Sequence, residues 1–373
     1  MSMDRYYLLG RSGLRVSPLS LGTMTFGKDG PYGGVWGSTD EVSRALFDRY
    51  LDAGGNFIDT ADLYTYGTAE TLLGKFIAER GGRDRIVLTS KYSYNSTTPG
   101  DPNAGGNGRK NMVRAVDASL RRLRTDYIDL YLLHTWDRIT PAEEVVRTFD
   151  DLVRAGKIRY AGLSDVPAWY AARAQTWAEA HALTPLINLQ LQYSLIERTL
   201  EPEFTPLAQT LGMGITAWSP LGMGLLSGKY KPSEGRLQGE GRLTSAVGGD
   251  KMGLFTDRNW AVVATLEKVA KELGREMSQV ALNWVATQPA VGSVIIGASS
   301  VKQLDGNLAA LDFTLPPELR RQLDAVSTPA SVPFPHSMFA IPHQFDLQGR
   351  AAVGDKPAGY TSPVFAGPPA TVG

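Results

Sequence analysis

Eight parallel strands alternating with helices and closed as a (β/α)8 barrel, an α/β fold with an N-terminal hairpin and a C-terminal extension, is the fold class that this sequence predicts. Three observations predict it. Short β-branched or apolar runs recur eight times along the 373 residues. Longer amphipathic stretches of helical period separate them. The runs are continuously apolar, as strands buried on both faces of a parallel sheet are. An open doubly wound sheet satisfies the same count, so the closed barrel is the preferred of two architectures.

In chain order, YYLLGRSGLRV reads as a short hairpin turning at Ser12 and Gly13 and capping the bottom of the barrel. LSLGT (19–23) is the first barrel strand. A helix follows, with Ser38 or Thr39 as cap before DEVSRALFDRYLDAG and with Gly54 and Gly55 as its stop. The other seven strands are FID (57–59), IVLTSK (86–91), IDLYLLH (128–134), IRYAGLS (158–164), LINLQ (186–190), MGITAWS (213–219) and VGSVIIG (291–297). Three segments exceed ordinary loop length and are therefore candidates for function: 92–110, 220–255 and the tail after Leu315. Residues 1–330 read as one barrel domain and 331–373 as a Pro- and aromatic-rich extension, whose PFPHSMFAIPHQF (333–345) is expected to fold over the pocket.

Composition narrows the function. Thirty-eight basic and 38 acidic residues cancel, so no net field draws the chain to nucleic acid or anionic lipid. Zero cysteines exclude disulfides, a thiolate nucleophile and Cys-ligated metal. The start lacks a signal-peptide core and no apolar run is long enough to span a bilayer, so a cytoplasmic protein is expected. No Walker A, HExxH or GxSxG occurs, and no GxGxxG follows an early strand. His181, His336 and His343 do not have metal-ligand spacing, and no metal is expected.

In a parallel barrel, catalytic side chains sit at the carboxyl ends of strands, where the loops converge. Three consecutive strands here end in ionisable groups: Asp59, running on to Tyr64; Lys91; and His134. Singly, such residues are commonly caps, packing or solvated charges. Together they suit proton transfer. A free phenol titrates near ~10, and an adjacent ammonium is expected to lower it toward the working range. Asp59 would hold Lys91 in place, Tyr64 would be the acid, and His134 would orient a carbonyl and share its developing charge. Asp62, one turn from Asp59, reads as solvating the loop. Such a set moves a proton and supplies no hydride, because no side chain donates one.

These residues and the surrounding GGNFIDTADLYTYGTAETLLG and GKIRYAGLS make the chain resemble the aldo-keto reductase family, from about Leu8 to about Leu311. The resemblance implies the barrel fold, reduction of aldehydes or ketones, and catalytic Asp59, Tyr64, Lys91 and His134. It also implies an NADPH site. Trp218 would stack on the nicotinamide, with Ser164, Asp165 and Gln190 at its carboxamide and Asp59 close by. Gly22, Thr23 and Met24 would line the floor near the ribose, and Ser219, Leu221 and Ser227 would lie near the pyrophosphate. Gly297, Ser299, Gln303 and Asn307 would surround the adenosine. Two departures stand out. Asp165 replaces the Asn of many relatives and can only accept a hydrogen bond when ionised. Ser299 replaces an Arg that favours a 2′-phosphate, which makes the preference for NADPH over NADH moderate.

Trp36, Tyr64, Tyr92, His134 and Trp136 are expected to line a neutral, aromatic pocket for a bulky carbonyl or alcohol substrate. Tyr66, Tyr94, Phe334 and Phe339 are further aromatic candidates for its walls. Barrels of this family occur alone and as assemblies, so a homo-oligomer stays open. The alternative function is a nicotinamide-binding redox sensor with little turnover, like the potassium-channel β-subunits of the family. A cofactor-free Schiff-base enzyme using Lys91 is a third reading that leaves Asp59 and Tyr64 unexplained.

Overall fold

The computed structural model describes residues 2–95, 100–233, 236–239, 241–245, 253–329, 331 and 334–339. Strands β1 (Tyr7–Leu8) and β2 (Arg15–Val16) form an antiparallel hairpin with Tyr7 opposite Val16. Seven barrel strands follow: β3 (Leu19–Gly22), β4 (Phe57–Asp59), β5 (Val87–Tyr92), β6 (Ile128–Leu133), β7 (Ile158–Ser164), β8 (Leu186–Gln192) and β9 (Gly214–Trp218). A second hairpin, β10 (Lys231–Ser233) and β11 (Arg236–Gln238), stands outside the barrel. Strand β12 (Val291–Ile296) then pairs with both β9 and β3, closing the eight parallel strands into a barrel. The closed form, rather than the open sheet, is the one adopted.

Helices α1 (Gly30–Trp36) and α2 (Asp40–Asp52) follow β3; α3 (Thr68–Arg80), α4 (Arg109–Leu123), α5 (Ala142–Arg154), α6 (Ala168–Ala180) and α7 (Phe204–Leu211) follow β4 to β8 in turn. Two more, α8 (Asp257–Leu273) and α9 (Met277–Ala286), separate β9 from β12. After β12 come α10 (Val301–Leu308), α11 (Pro317–Ser327) and the single turn α12 (His336–Phe339). Thr39, not Ser38, caps α2: its side chain accepts from the Val42 amide, and Asp40 and Glu41 occupy the positive end of the helix dipole. Gly54, at φ 89°, turns the chain out of that helix.

Two apolar layers hold the barrel. The larger lies between strands and helices and buries Phe47, Tyr131, Phe149 and Trp284, among others. Each such side chain contributes about 1.5–3 kcal/mol on leaving water. The smaller is inside the barrel at its amino-terminal end, where Phe57, Val87, Leu130, Leu132 and Ile187 meet Leu9 and Val16 of the hairpin. Gly10 is required there. Its φ is 59°, and a Cβ would stand 2.4 Å from the Ile187 carbonyl oxygen. The hairpin thus plugs one end with hydrocarbon, and polar chemistry is confined to the other.

Described parts of the long segment after β9 pack back on α1. Arg242 lies over the Trp36 ring at 4.7 Å, and the Trp36 indole donates to Ser245 Oγ at 3.1 Å. The expected cover at 333–345 falls largely outside the described residues. Of its described part, Phe334 is 82% exposed, and His336 lies 2.5 Å from Glu203.

Candidate active site

Strand ends and one strained turn assemble the site. Asp59 closes β4, and the chain continues extended beside β5, with Thr60 N–H donating to Thr89 O and Asp62 N–H to Lys91 O at 3.1 Å. It then tightens into a turn at Tyr64, where Thr65 and Tyr66 adopt left-handed φ of 47° and 53°. Thr65 locks this turn by donating its hydroxyl to Phe26 O and accepting from Ala69 N–H. The result points the Tyr64 hydroxyl back at β5.

Lys91 Nζ is wholly buried and donates to Asp59 Oδ1 at 2.6 Å, to Thr60 O at 2.9 Å and to Tyr64 Oη at 3.1 Å. Gln190 donates to the other Asp59 oxygen at 2.7 Å. The His134 ring meets Tyr64 edge-on at 5.8 Å and Tyr94 at 5.1 Å. Its backbone N–H is held by Tyr92 O, while its buried Nδ1 has no partner among the described residues. Carboxylate, ammonium, phenol and imidazole, from three strand ends, therefore meet at one rim.

Electrostatics sets their forms. Burial works against the charge on Lys91, but Asp59 and Tyr64 outweigh it and hold the lysine above its ordinary value. Burial, followed by the Lys91 charge, pushes His134 well below 6.5, so the imidazole is neutral. The phenol departs from expectation. Burial raises Tyr64 above its ordinary value, and Asp59 adds to it, against the lowering pull of Lys91. Tyr64 thus rests as a neutral phenol with an ammonium hydrogen-bonded to its oxygen.

Two further readings are corrected. Tyr92 does not face the pocket. It is fully buried, stacks on Tyr131 at 5.4 Å and meets Phe149 edge-on. Adjacent residues of a strand point to opposite faces, so Lys91 inside the barrel puts Tyr92 in the helix layer. Nor does Asp62 solvate the loop: it is 3% exposed, with one carboxyl oxygen unpartnered. Burial and nearby Glu70 push Asp62 well above its ordinary value, against Arg122 and Lys91. Glu70, fully buried, receives Ser90 Oγ at 2.5 Å and Arg122 Nε at 2.7 Å. Sequence reasoning missed this cluster behind Lys91. Its one signal is Glu70 standing three and seven residues before Leu73 and Ile77, on the apolar stripe of α3.

The remaining predicted residues surround the same opening. Asp165 follows β7 at φ 46°, and its Oδ1 accepts from the Trp218 indole N–H at 3.1 Å. Ser164 is buried beside it. Trp136 is tied to the rim by its N–H to Asp165 O, and its ring packs on Trp169 and Tyr170 of α6. At the end of β3, Gly22 pairs with Asp59 and Met24 is exposed. Thr23 is fully buried: its hydroxyl and its N–H both donate to the Asp59 carbonyl, and its own carbonyl accepts from Phe26 N–H.

After β9, Ser219, Gly222, Met223 and Gly224 all take left-handed φ near Leu221, and Ser227 donates to Gly224 O. Successive backbone turns of this kind can aim amides at an anion. After β12, Gly297 and Ser299 are exposed, Ser300 caps α10, and Gln303 Oε1 accepts from Ser299 N–H and Oγ. Asn307 holds the Gly297 carbonyl at 3.1 Å. A Cβ at Gly297 would meet nothing within 4 Å, so this edge is open. Arg242, which sequence reasoning did not single out, lies over the Trp36 ring, and its charge interacts with Tyr64. Among the described residues no group of side chains could hold a metal ion, and no helix is long and apolar enough to cross a membrane.

Comparison with known proteins places the chain in a family. The model of the aldo/keto reductase family matches residues 18–328. An uncharacterized oxidoreductase of Bacillus subtilis is 37% identical over 332 residues, covering 86% of this chain and 95% of its own. A norsolorinic acid reductase of Emericella nidulans is 37% identical over 89% of this chain and 84% of its own. An NADP(+) aryl-alcohol dehydrogenase of Phanerodontia chrysosporium is 35% identical over 91% and 90%. On the barrel, the strand-end groups and these matches together, the chain belongs to the aldo/keto reductase family.

Proposed function

We propose that this protein is an NADPH-dependent oxidoreductase that reduces aldehyde or ketone groups of aromatic substrates to alcohols, with Tyr64 as general acid. The observation that carries the reading is the 3.1 Å contact between the Lys91 ammonium and the Tyr64 hydroxyl, with Asp59 fixed on the far side of the lysine. The relatives named for norsolorinic acid and aryl alcohols support a carbonyl or alcohol on an aromatic framework.

When bound, the nicotinamide supplies the hydride to the carbonyl carbon. The chain's own residues do the rest. Neutral His134 and neutral Tyr64 hydrogen-bond the carbonyl oxygen; Tyr64 gives up its proton as negative charge gathers there; and Lys91 stabilises the resulting phenolate. Asp59 and Gln190 keep Lys91 from swinging away. Trp218, Asp165, Gln190 and Ser164 offer the ring and polar groups that a nicotinamide needs. The left-handed backbone at Ser219 and at 222–224 suits a pyrophosphate, and Ser299, Gln303 and Asn307 suit an adenosine. Tyr94, His134, Trp36 and Trp136 would border an aromatic substrate, and Arg242 adds one positive charge to a pocket otherwise expected to be neutral.

The test is loss of NADPH and NADH absorbance with a panel of aromatic aldehydes and ketones, run beside Tyr64→Phe. Turnover that the substitution abolishes supports the proposal. A tight nucleotide complex without turnover on any carbonyl would favour the redox-sensor alternative.

A further inference from the structure

Asp165 is a charged group at the centre of the site that proton donation to a carbonyl does not require. Its backbone is fixed from both sides: its N–H donates to Gln190 O and its carbonyl accepts from Trp136 N–H, each at 3.3 Å. The left-handed φ of 46° is one that aspartate and asparagine tolerate better than other residues. This conformation lays the carboxyl against the Trp218 indole, the flat surface of the site, at 3.1 Å. Its charge is felt at Tyr64, and that of Lys91 is felt at Asp165. Any carbonyl that takes a proton from Tyr64 must have its carbon within reach of the hydride donor. A donor ring that lay on Trp218 and reached such a carbonyl would be within the field of Asp165.

We infer that Asp165 makes the site discriminate between the two redox forms of its nicotinamide, its carboxylate favouring the cationic oxidised ring over the neutral reduced one. The inference rests on the function proposed above and adds a direction to it. The two forms differ in the ring by one full positive charge, so a fixed charge beside the ring separates them and a neutral amide of the same shape does so far less. The neighbouring charges do not cancel this effect. The Lys91 ammonium, on β5, is already paired with Asp59 of β4, which Gln190 of β8 holds; His134 beyond β6 is neutral; Ser164 and Trp218 carry no charge; and Tyr64 is a phenol. Arg242, over the Trp36 ring, is a further cation whose charge interacts with Tyr64. Tighter holding of the oxidised form tilts the equilibrium on the protein toward alcohol.

Protonation of Asp165 would switch the preference off. Although the residue is open to the cleft, the protein around its carboxyl pushes the pKa up to about 6, against the Trp218 hydrogen bond and the Lys91 charge. It is therefore ionised at pH 8 and largely protonated at pH 5.

Quenching of tryptophan fluorescence by NADPH and by NADP+ measures both dissociation constants, for the wild type and for Asp165→Asn, at pH 5 and pH 8; NADH and NAD+ test the other pair. At pH 8 the wild type is expected to show a ratio of Kd(NADPH) to Kd(NADP+) about tenfold larger than the Asn variant shows. That excess should vanish at pH 5. Binding of both forms with ratios equal within about twofold in the two proteins would overturn the inference alone. If neither protein binds any of these nucleotides, the inference falls together with the function on which it rests.

Discussion

Gln190 donates its amide N–H to Asp59 Oδ2 at 2.7 Å, a bond between residues 131 apart in sequence that ties β8 to the end of β4. It leaves neither carboxylate oxygen of Asp59 free to turn, since the other already receives Lys91. Replacing Gln190 by Met keeps the volume and removes the donor. Asp59 is 1% exposed, so the abandoned oxygen finds no water in exchange. The expected cost is about 1.5–3 kcal/mol of folding stability in the nucleotide-free protein, measured by urea unfolding; a loss below ~0.5 kcal/mol would show that this bond does not anchor the carboxylate.

Tyr64→Phe tests the proton donor apart from the binding surface. The substitution deletes one hydroxyl and leaves the ring against His134. Turnover of an aromatic aldehyde should fall about 10²–10⁴-fold, the usual worth of a positioned acid, while the dissociation constant for NADPH stays within about threefold. Comparable losses in both would mean that the residue shapes the site instead of acting in the reaction.

The imidazole of His134 is expected to stay neutral across the working range, so the rate should show no ionisation near 6.5 that His134→Gln removes. Its effect on stability has a definite sign. The folded protein holds His134 neutral to well below 6.5, whereas the unfolded chain takes up a proton as pH falls through that value. Stability attributable to this residue is therefore present above about 6.5 and lost as the solution is acidified. Thermal unfolding from pH 8 to pH 5 should show a steeper decline for the wild type than for His134→Gln, and parallel declines would contradict burial as the cause.

Much of this was legible before any coordinates, for identifiable reasons. Strands such as IVLTSK and IDLYLLH are buried on both faces, so their apolar runs announce them, and their polar last residues mark the open end of the barrel. Leu9 and Val16 flank a turn short enough to be read locally, which made the plug visible. Tyr92 was misplaced because its neighbour Lys91 had already claimed the inner face, a parity that the strand itself imposes. Asp62 was misjudged because its surroundings, Glu70 and Arg122, come from two other elements, and nothing within a few residues of it betrays burial. The bond from Trp218 to Asp165 likewise joins two strands that are not neighbours in the barrel. Such pairings depend on closure, and local pattern is blind to them.

Behind Lys91, Asp62, Glu70 and Arg122 bring two carboxyls to one guanidinium, and this imbalance gives the last prediction. Among the described residues Arg122 is the only cation bonded to Glu70, which has no exposure to solvent. Arg122→Met should therefore cost about 3–5 kcal/mol, the penalty for leaving a buried charge unpaired. Asp62 behaves oppositely. Burial and the Glu70 charge keep it protonated in the folded protein well above 3.8, while the unfolded chain ionises at that value, so its contribution to stability declines as pH rises above 3.8. Asp62→Asn carries no such dependence. Its melting temperature should match that of the wild type near pH 4 and exceed it by a growing margin toward pH 8. A margin that shrinks with rising pH would mean that Asp62 is ionised in the folded state and that the second carboxylate, too, is compensated by Arg122 or Lys91.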